Sequence, residues 1–226
     1  MELAAPLRRR PSCFGGLLAW TNQQLSLSGF ADASGSLPDN FRTLQGKADL
    51  NLRSYQWRRG PTLANCCHLL GPRAEILNLM IYPGQPERVP VFAVELIVFG
   101  QMPRVAVIDL QPAAGLDNGP LRAEVDQYLE TVWKRYQGRL SHGGELPSWA
   151  EQHFTRYCIY ARPQTLQQLP DVIRAFRAYF RVWRDHFLAR EDGLVGENLS
   201  ALTQYQSHHV ENTPGRKFLH TSFGFD

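Results

Sequence analysis

The chain has 226 residues, of which 43% are hydrophobic and 20% charged, an ordinary composition for a folded protein with a real core. Its 24 Lys and Arg against 21 Asp and Glu leave a formal charge of +3 without a clustered basic stripe, which argues against a nucleic-acid-binding surface. No run of about 18 apolar residues is present, so we expect no contact with a membrane interior.

Residues 1–50 are polar, rich in Ser and Gly and weakly periodic, and we expect a loosely ordered N-terminal segment with one short helix near Gly16–Gln24. Residues 51–226 are interpreted as a single domain. They begin with short runs of β-forming residues separated by Gly-Pro and Pro-Gly turns, a pattern that predicts an antiparallel meander. The predicted strands are Leu52–Trp57, Leu63–Leu70, Ala74–Tyr82, Val91–Phe99 and Arg104–Leu110, with a further strand in Arg156–Arg162.

The second half of the chain is helical in character. Leu121–Gln137 and Leu166–Arg190 carry apolar residues at the spacing of one helix face. Asn198–Val210 predicts a third helix, and Pro214–His220 is the predicted start of a fourth. A block of strands followed by helices indicates an α+β fold, in which helices cover an antiparallel sheet.

Two polar residues interrupt the apolar strands. Residues two apart in a strand share a face, so Glu95 points the same way as Ala93 and Ile97, and both faces of its strand are apolar. Asn78 repeats the pattern in the preceding strand. A buried carboxylate without a partner is costly, so Glu95 is paired, protonated or open to a cavity, unless it lies at the surface or at a sheet edge. Desolvation raises a carboxyl pKa, which makes Glu95 a candidate proton donor.

Other polar residues allow a structural and a functional interpretation. Asp109 lies near a strand end beside Pro112, where capping of a turn is the favoured interpretation. Arg104, at the start of the same strand, is either an anion contact or a solvated side chain. His209 and Glu211 lie at the end of a helix, where a solvated position is the simple interpretation.

The four cysteines form no C-x-x-C pair, which removes the usual zinc and thioredoxin-like interpretations and indicates a reducing, cytoplasmic location. Phosphate-binding and dinucleotide-binding glycine motifs are absent from the sequence, as are H-E-x-x-H and G-x-S-x-G. A nucleotide cofactor, a catalytic zinc and a serine nucleophile therefore lack sequence support.

Several segments in order resemble the ferredoxin-dependent bilin reductases, the family that reduces biliverdin in phycobilin and phytochromobilin synthesis. The resemblance runs from about Tyr55 to Phe223 and depends on the order and spacing of the segments rather than on one motif. The segments are Glu75–Pro83 with Val89–Glu95, Val105–Pro112, Glu145–Trp149 with Phe154–Pro163, and Gln204–Leu219.

The resemblance implies an α/β/α sandwich, with the open-chain tetrapyrrole between an antiparallel sheet and the C-terminal helices. It also implies that the protein binds no cofactor of its own. Plant-type [2Fe-2S] ferredoxin would supply electrons one at a time through bilin radicals, while protein acids and water supply protons. The substrate would be biliverdin or a dihydrobiliverdin, and the protein a monomer.

The family's functional positions carry over only in part. Its central aspartate falls on Glu95, and its His-or-Asn position falls on Asn78. The aspartate before the last helix falls on Thr213, which is not an acid at ordinary pH, and the nearby Glu211 and His209 are the candidates to take its place. A glutamate used for exovinyl reduction falls on Cys66. With Glu95 as the one acid retained, the resemblance favours a single two-electron reduction. It does not specify which double bond of the bilin is reduced.

Charged ligands and partners add further expectations. The two propionates of a bilin need cations, for which the candidates are Arg104, Arg216 and Lys217. Acidic ferredoxin needs a basic docking surface, for which the arginines of Leu166–Arg190 are candidates. Two alternatives stay open: an enzyme like red chlorophyll catabolite reductase, in which glutamate can occupy the central acid position, and a bilin-binding protein without catalytic activity.

Overall fold

The computed structural model describes residues 11–100, 102–113, 119–151, 153–191, 199–213 and 220–223. Within them, eight strands form one antiparallel sheet, and five of the strands have nine or ten residues. The strands are β1 Ala31–Asp32, β2 Thr43–Gln45, β3 Asn51–Arg59, β4 Thr62–Leu70, β5 Ala74–Tyr82, β6 Val91–Phe99, β7 Met102–Gln111 and β8 Ile159–Ala161.

The sheet order is β1-β3-β4-β5-β6-β7-β8, and β2 pairs with β3 beside β1. Successive long strands are joined by hairpins, so each strand pairs with its neighbour in the chain. Gly60 and Gly100 adopt positive φ values of 54° and 60° in two of these turns, a conformation that other residues rarely take. The predicted meander and the added strand β8 are confirmed.

The helices cover both faces of the sheet. They are α1 Gly15–Leu27, α2 Asp39–Arg42, α3 Gly119–Tyr136, α4 Leu169–Val182 and α5 Leu199–Asn212. Helices α1, α3 and α4 pack on one face and enclose the main core, whereas Tyr205 of α5 packs on the other face against Val91 and Ala93. This arrangement is the predicted α/β/α sandwich. Among the described residues, none of the helices combines the length and apolar character needed to cross a membrane.

Strand β6 is fastened to α4 by aromatic side chains. The Phe92 ring lies 5.6 Å from the rings of Phe176 and Phe180, edge to face in both cases. The Trp183 indole follows α4 in a π-helical turn and donates a hydrogen bond to the carbonyl oxygen of Pro90 at 3.1 Å. These contacts hold one face of β6, so the side chains on its opposite face have a fixed position.

The expectation of a loosely ordered segment over residues 1–50 does not hold for the described part, 11–50. Helix α1 is longer than predicted and buries Leu17, Thr21 and Leu25, one residue per turn, so its apolar stripe is too narrow to stand out in the sequence. Residues 1–10 lie outside the described residues, as does most of the predicted helix start at Pro214–His220.

A buried carboxylate anchors the start of α1. Glu75 of β5 accepts hydrogen bonds from the Ser12 hydroxyl, from the backbone N–H groups of Cys13 and Phe14 at 2.7 and 2.9 Å, and from His68 at 2.9 Å. Burial alone would raise the pKa of Glu75, but these hydrogen bonds outweigh it and lower the pKa to about 2. Residues 12–14, immediately before and at the start of α1, are therefore tied to β5 of the sheet.

Candidate functional site

A cavity of about 960 Å³ lies against the face of the sheet opposite the main core. Pockets that bury a drug-sized ligand have about 300–1,000 Å³, so this one has room for a large molecule. Strands β4–β7 supply its floor, and residues 146–154, α5 and His220 supply its roof. Polar side chains at its otherwise apolar wall include Cys67, Asn78, Glu95, Gln111, Tyr160, Arg162, His209 and Thr213.

The strand register places one row of side chains across the middle of the cavity floor. Cys67 pairs with Asn78, and Asn78 pairs with Glu95. The row continues from Glu95 through Val107 to Tyr160. Because neighbouring strands lie about 4.8 Å apart, a thiol, an amide and a carboxyl group stand side by side. The structure thus brings together the two residues that the apolar strand pattern singled out.

Glu95 is partly buried and has no hydrogen bond or ion pair with any of the described residues. Desolvation raises its pKa above the ordinary value of 4.5. The carboxyl group faces the cavity between Ala93 and Ile97, as strand alternation predicts. Its environment therefore favours the protonated form.

Asn78 and Cys67 flank this acid on one side. Within the described part of the chain, the Asn78 amide makes no hydrogen bond, so both its donor and its acceptor face the cavity unused. The Cys67 thiol lies 3.7 Å from the Ser54 hydroxyl. Desolvation raises the pKa of Cys67, and the contact with Ser54 only partly opposes this, so the group is a neutral thiol at pH 7.

The expected ligand contact of Cys66 is corrected by the register. Its side chain points to the opposite face of the sheet, into the main core, and is 2% exposed. Burial raises the pKa of this thiol far above its ordinary value. The resemblance placed the exovinyl-associated position on Cys66, whereas the register pairs Asn78 with Cys67, and Cys67 is the thiol that lines the cavity.

The C-terminal candidates separate into two groups. His209 and Thr213 line the roof of the cavity. Glu211 is exposed on α5 and does not line the cavity, because it lies on another side of the helix from His209. Arg216 and Lys217 lie outside the described residues.

Asp109 has a structural position and is not part of the cavity wall. It is completely buried and accepts hydrogen bonds from the backbone N–H of Thr155 at 2.8 Å and from its hydroxyl at 2.5 Å. Burial raises the pKa of Asp109 to about 7, although both hydrogen bonds act in the opposite direction. Asp109 fastens the roof segment to β7, and the expectation of substrate contact is corrected.

Arg104 is also outside the cavity. It is exposed at the start of β7, on the alternate face to Val105 and Val107, which line the cavity. Arg162 supplies the cation that sequence reasoning missed: it lines the cavity and donates a hydrogen bond to the Tyr160 hydroxyl at 3.2 Å. Alternation within the predicted strand Arg156–Arg162 places Tyr160 and Arg162 on one face and could have identified it.

Chemically, the site offers a large apolar cavity, a carboxyl group inclined to hold a proton, an unused amide and a cation at the wall. In the described ranges, no cluster of three or more His, Cys, Asp or Glu side chains has the arrangement of a metal site. Such a site can take up a flat, largely apolar ligand that carries acidic groups, and can give it a proton.

Comparison with known proteins places the chain beside reductases of open-chain tetrapyrroles. The family model for ferredoxin-dependent bilin reductase matches residues 36–226. The match begins within the segment that the sequence pattern set apart as 1–50. Phycoerythrobilin:ferredoxin oxidoreductase of Nostoc punctiforme is 26% identical over 159 residues, which are 68% of this chain and 62% of that protein.

Two further comparisons agree. Phycocyanobilin:ferredoxin oxidoreductase of Trichodesmium erythraeum is 23% identical over 69% of this chain and 62% of its own length. The crystal structure of tomato phytochromobilin synthase in complex with biliverdin superposes with a TM-score of 0.76, at 19% identity, over 94% of this chain and 78% of that chain. The chain spans about three fifths of the length of these two curated relatives.

Proposed function

Because this chain belongs to the ferredoxin-dependent bilin reductase family, we propose that it reduces biliverdin with electrons from [2Fe-2S] ferredoxin, in one two-electron step. The observation that carries the proposal is Glu95, a desolvated carboxyl group without a partner among the described residues, on the floor of a cavity of about 960 Å³. The biliverdin bound by the tomato structural neighbour supports the choice of substrate.

The reaction adds two electrons and two protons to biliverdin and gives a dihydrobiliverdin. Reduced ferredoxin delivers the first electron, which makes the bilin a radical anion. Glu95 then donates a proton, and this neutralises the charge where it develops. A second ferredoxin delivers the second electron, and water supplies the second proton and restores the Glu95 carboxyl group.

Asn78 orients the substrate in this proposal. Its amide lies beside Glu95 and can accept from a pyrrole N–H or donate to a lactam oxygen. A hydrogen bond of this kind fixes the carbon to be protonated against the Glu95 oxygen atoms. The Cys67 thiol bounds the same row, and Thr213 and His209 contact the bilin from the roof.

Arg162 balances the acidic edge of the substrate. A bilin carries two propionates, and a guanidinium forms strong, often paired hydrogen bonds with a carboxylate. Arg162 is the arginine of the described cavity wall, and Arg216 and Lys217 are further candidates for the same task. This arrangement would direct the propionates towards the side of the cavity where Arg162 lies.

An anaerobic assay with biliverdin, ferredoxin, ferredoxin reductase and NADPH tests the function. We expect the biliverdin absorbance to decay only when the full electron chain is present, and chromatography of the products to show one dihydrobiliverdin. An absorbance change on mixing, without any change that depends on electrons, would instead identify a bilin-binding protein. Turnover of a red chlorophyll catabolite but not of biliverdin would indicate the other reductase class.

A further inference from the structure

One end of the cavity wall is formed by a buried amide with an unused donor. Gln111 is the last residue of β7, is 1% exposed and lines the cavity. Its Oε1 accepts a hydrogen bond from the hydroxyl of Tyr205, which is completely buried on α5. Its Nε2 is enclosed and has no hydrogen-bond partner among the described residues. Buried amide nitrogens are rarely left unpaired, so this one requires an explanation.

A second unpaired nitrogen belongs to His209, which packs against Tyr205. The His209 ring packs on the Tyr205 ring, with the centroids 4.2 Å apart, and its Nε2 is also enclosed without a partner. Burial, together with the neighbouring His153 and His208, lowers the pKa of His209 to about 4. The imidazole is therefore neutral at pH 7, and this end of the cavity has hydrogen-bonding groups without positive charge.

The position along the strands separates this end from the cation. Gln111 pairs with Val91, four residues along β6 from Glu95, which corresponds to about 13 Å. Arg162 follows the residues of β8 that pair with Val107 and Ala106, so it lies on the other side of the Glu95 row. Along the strand axis, the order is Arg162, then Glu95, then Gln111.

We propose that Gln111 Nε2 binds an uncharged carbonyl oxygen, a terminal lactam oxygen of the open-chain tetrapyrrole, with Tyr205 as the residue that positions the amide. The inference rests on the proposed function. Tyr205 holds the Gln111 oxygen, so the amide presents its N–H donors and not its acceptor. Gln111 lines the cavity, so the lactam oxygen approaches its amide from that side.

Charge decides between the two oxygen sources on a bilin. A propionate carboxylate is stabilised by a cation, and Arg162 offers one at the opposite side of the cavity. Neutral donors match a neutral lactam oxygen, because transferring it from water costs far less than transferring an anion. The bilin is then held with its propionates towards Arg162 and a lactam towards Gln111.

Absorbance titration of the full chain with biliverdin and with biliverdin dimethyl ester tests this assignment, because the ester removes the propionate charges and keeps both lactams. Gln111→Met removes the amide, and the exposed Gln204 on the other side of α5 supplies the matched control Gln204→Met. We expect Gln111→Met to raise Kd about tenfold for both ligands, and the control to stay within about twofold.

Other outcomes overturn the proposal. A loss with biliverdin that vanishes with the dimethyl ester would assign Gln111 to a propionate, and equal Kd values for Gln111→Met and wild type would remove the site altogether. If Gln111→Met melts early, the titration is repeated below its melting range, where circular dichroism shows it folded, and the same rise in Kd is expected. Wild-type protein that binds neither ligand would instead refute the proposed function.

The positioning role of Tyr205 has its own readout. Tyr205→Phe frees the Gln111 amide to rotate, and we expect about a threefold rise in Kd for both ligands. The double variant Tyr205→Phe, Gln111→Met should bind no more weakly than Gln111→Met alone, because the hydroxyl acts only through the amide. Additive losses would show that Tyr205 has a separate packing role and would remove it from the site.

Discussion

At the scale of single residues, Glu95 is distinguished by the cost of its charge. Its neighbours on the cavity floor are apolar or neutral, and desolvation raises its pKa. Between the ordinary pKa of 4.5 and this raised value, the folded protein holds a proton that the unfolded chain releases. Folding stability therefore falls as the pH rises through this window. Glu95 therefore lowers the folding stability at neutral pH, while its raised pKa keeps it able to donate a proton.

Replacing this group by an amide separates binding from proton transfer. For Glu95→Gln, we expect biliverdin to bind with Kd within about threefold of wild type, while kcat falls at least about 100-fold. Wild-type turnover should decline as the pH rises through the raised pKa of Glu95, and the variant should lack this decline. Anaerobic stopped-flow absorbance measures the turnover rate and its pH dependence. A long-lived radical spectrum in the variant is the expected sign that proton transfer to the bilin radical anion is blocked.

The control for this prediction is Glu211→Gln, which changes an exposed carboxyl group on α5 and should leave turnover unchanged. Thermal melting provides a check on folding. Glu95→Gln should melt no lower than wild type at pH 8, because it removes a desolvated charge. Undiminished product formation by Glu95→Gln would contradict the assignment of the proton donor.

Sequence reasoning finds a site residue where strand alternation alone determines its face. Glu95 and Asn78 were found in this way because a polar side chain in an apolar strand is conspicuous. Cys66, taken from the family resemblance, lies one residue from the cavity-lining Cys67, and a shift by one moves a side chain to the other face of the sheet. Gln111 gave no signal, because its role depends on Tyr205, 94 residues away.

At the scale of elements, the attachment of α1 to the sheet is the feature of the fold that is hardest to predict from the sequence. Local patterns predicted the strands well, since each hairpin is closed by residues adjacent in the chain. Glu75 reaches residues that are more than 60 positions distant, and no local pattern encodes these contacts. This is why residues 11–50 looked loosely ordered and are not.

Glu75 should therefore contribute stability that depends on pH. Its pKa is about 2 in the folded protein against an ordinary 4.5, and this difference corresponds to about 3 kcal/mol at neutral pH. The contribution is fully present above pH 4.5 and is lost as the pH falls towards 2. Glu75→Gln should lower the free energy of unfolding at pH 7 by about 2–3 kcal/mol, and by much less at pH 3.

Urea unfolding at both pH values measures this difference. Glu151→Gln, which changes an exposed carboxyl group, is the matched control and should change stability by less than about 0.5 kcal/mol. A Glu75→Gln variant that is equally destabilised at pH 3 and pH 7 would show that the amide disturbs packing rather than the charged hydrogen bonds.

At the scale of the whole molecule, the two faces of the sheet have different tasks. The face under α1, α3 and α4 is filled by the core, and the other face forms the cavity floor. The arginines of α4 lie over the filled face. Arg174 of this helix pairs with Asp171, Arg184 of the turn that follows it pairs with Asp185, and Arg177 lies over the Trp20 ring. A ferredoxin docked there would be separated from the cavity by a helix about 10 Å across and by the sheet.

Docking on the cavity side would give a shorter path for the electron from ferredoxin to the cavity. It predicts that the charges of α4 contribute little to ferredoxin binding. Turnover driven by ferredoxin should fall several-fold between about 0.05 and 0.5 M salt, because an acidic partner is steered by basic residues. Arg181→Glu, on the exposed face of α4, should change the KM for ferredoxin by less than about twofold. Steady-state assays measure both effects.

Turnover driven by dithionite, a small reductant, is the control and should respond little to salt. If Arg181→Glu raises the KM for ferredoxin as strongly as salt does, then α4 is the docking surface and the cavity side is not.

The class of the fold was predictable from the block of strands followed by helices. Which face stays open was not, because that depends on how completely the helices fill each side.

The paired row from Cys67 to Tyr160 gives this scaffold a simple way to diversify. Each position is one strand further along, so relocating an acid by one strand displaces it by about 4.8 Å across the cavity floor. Two point substitutions would accomplish this without repacking the helices behind the sheet. In such a framework, the strand that carries the acid determines which carbon atom is protonated. Nearly identical folds can then yield pigments of different colour.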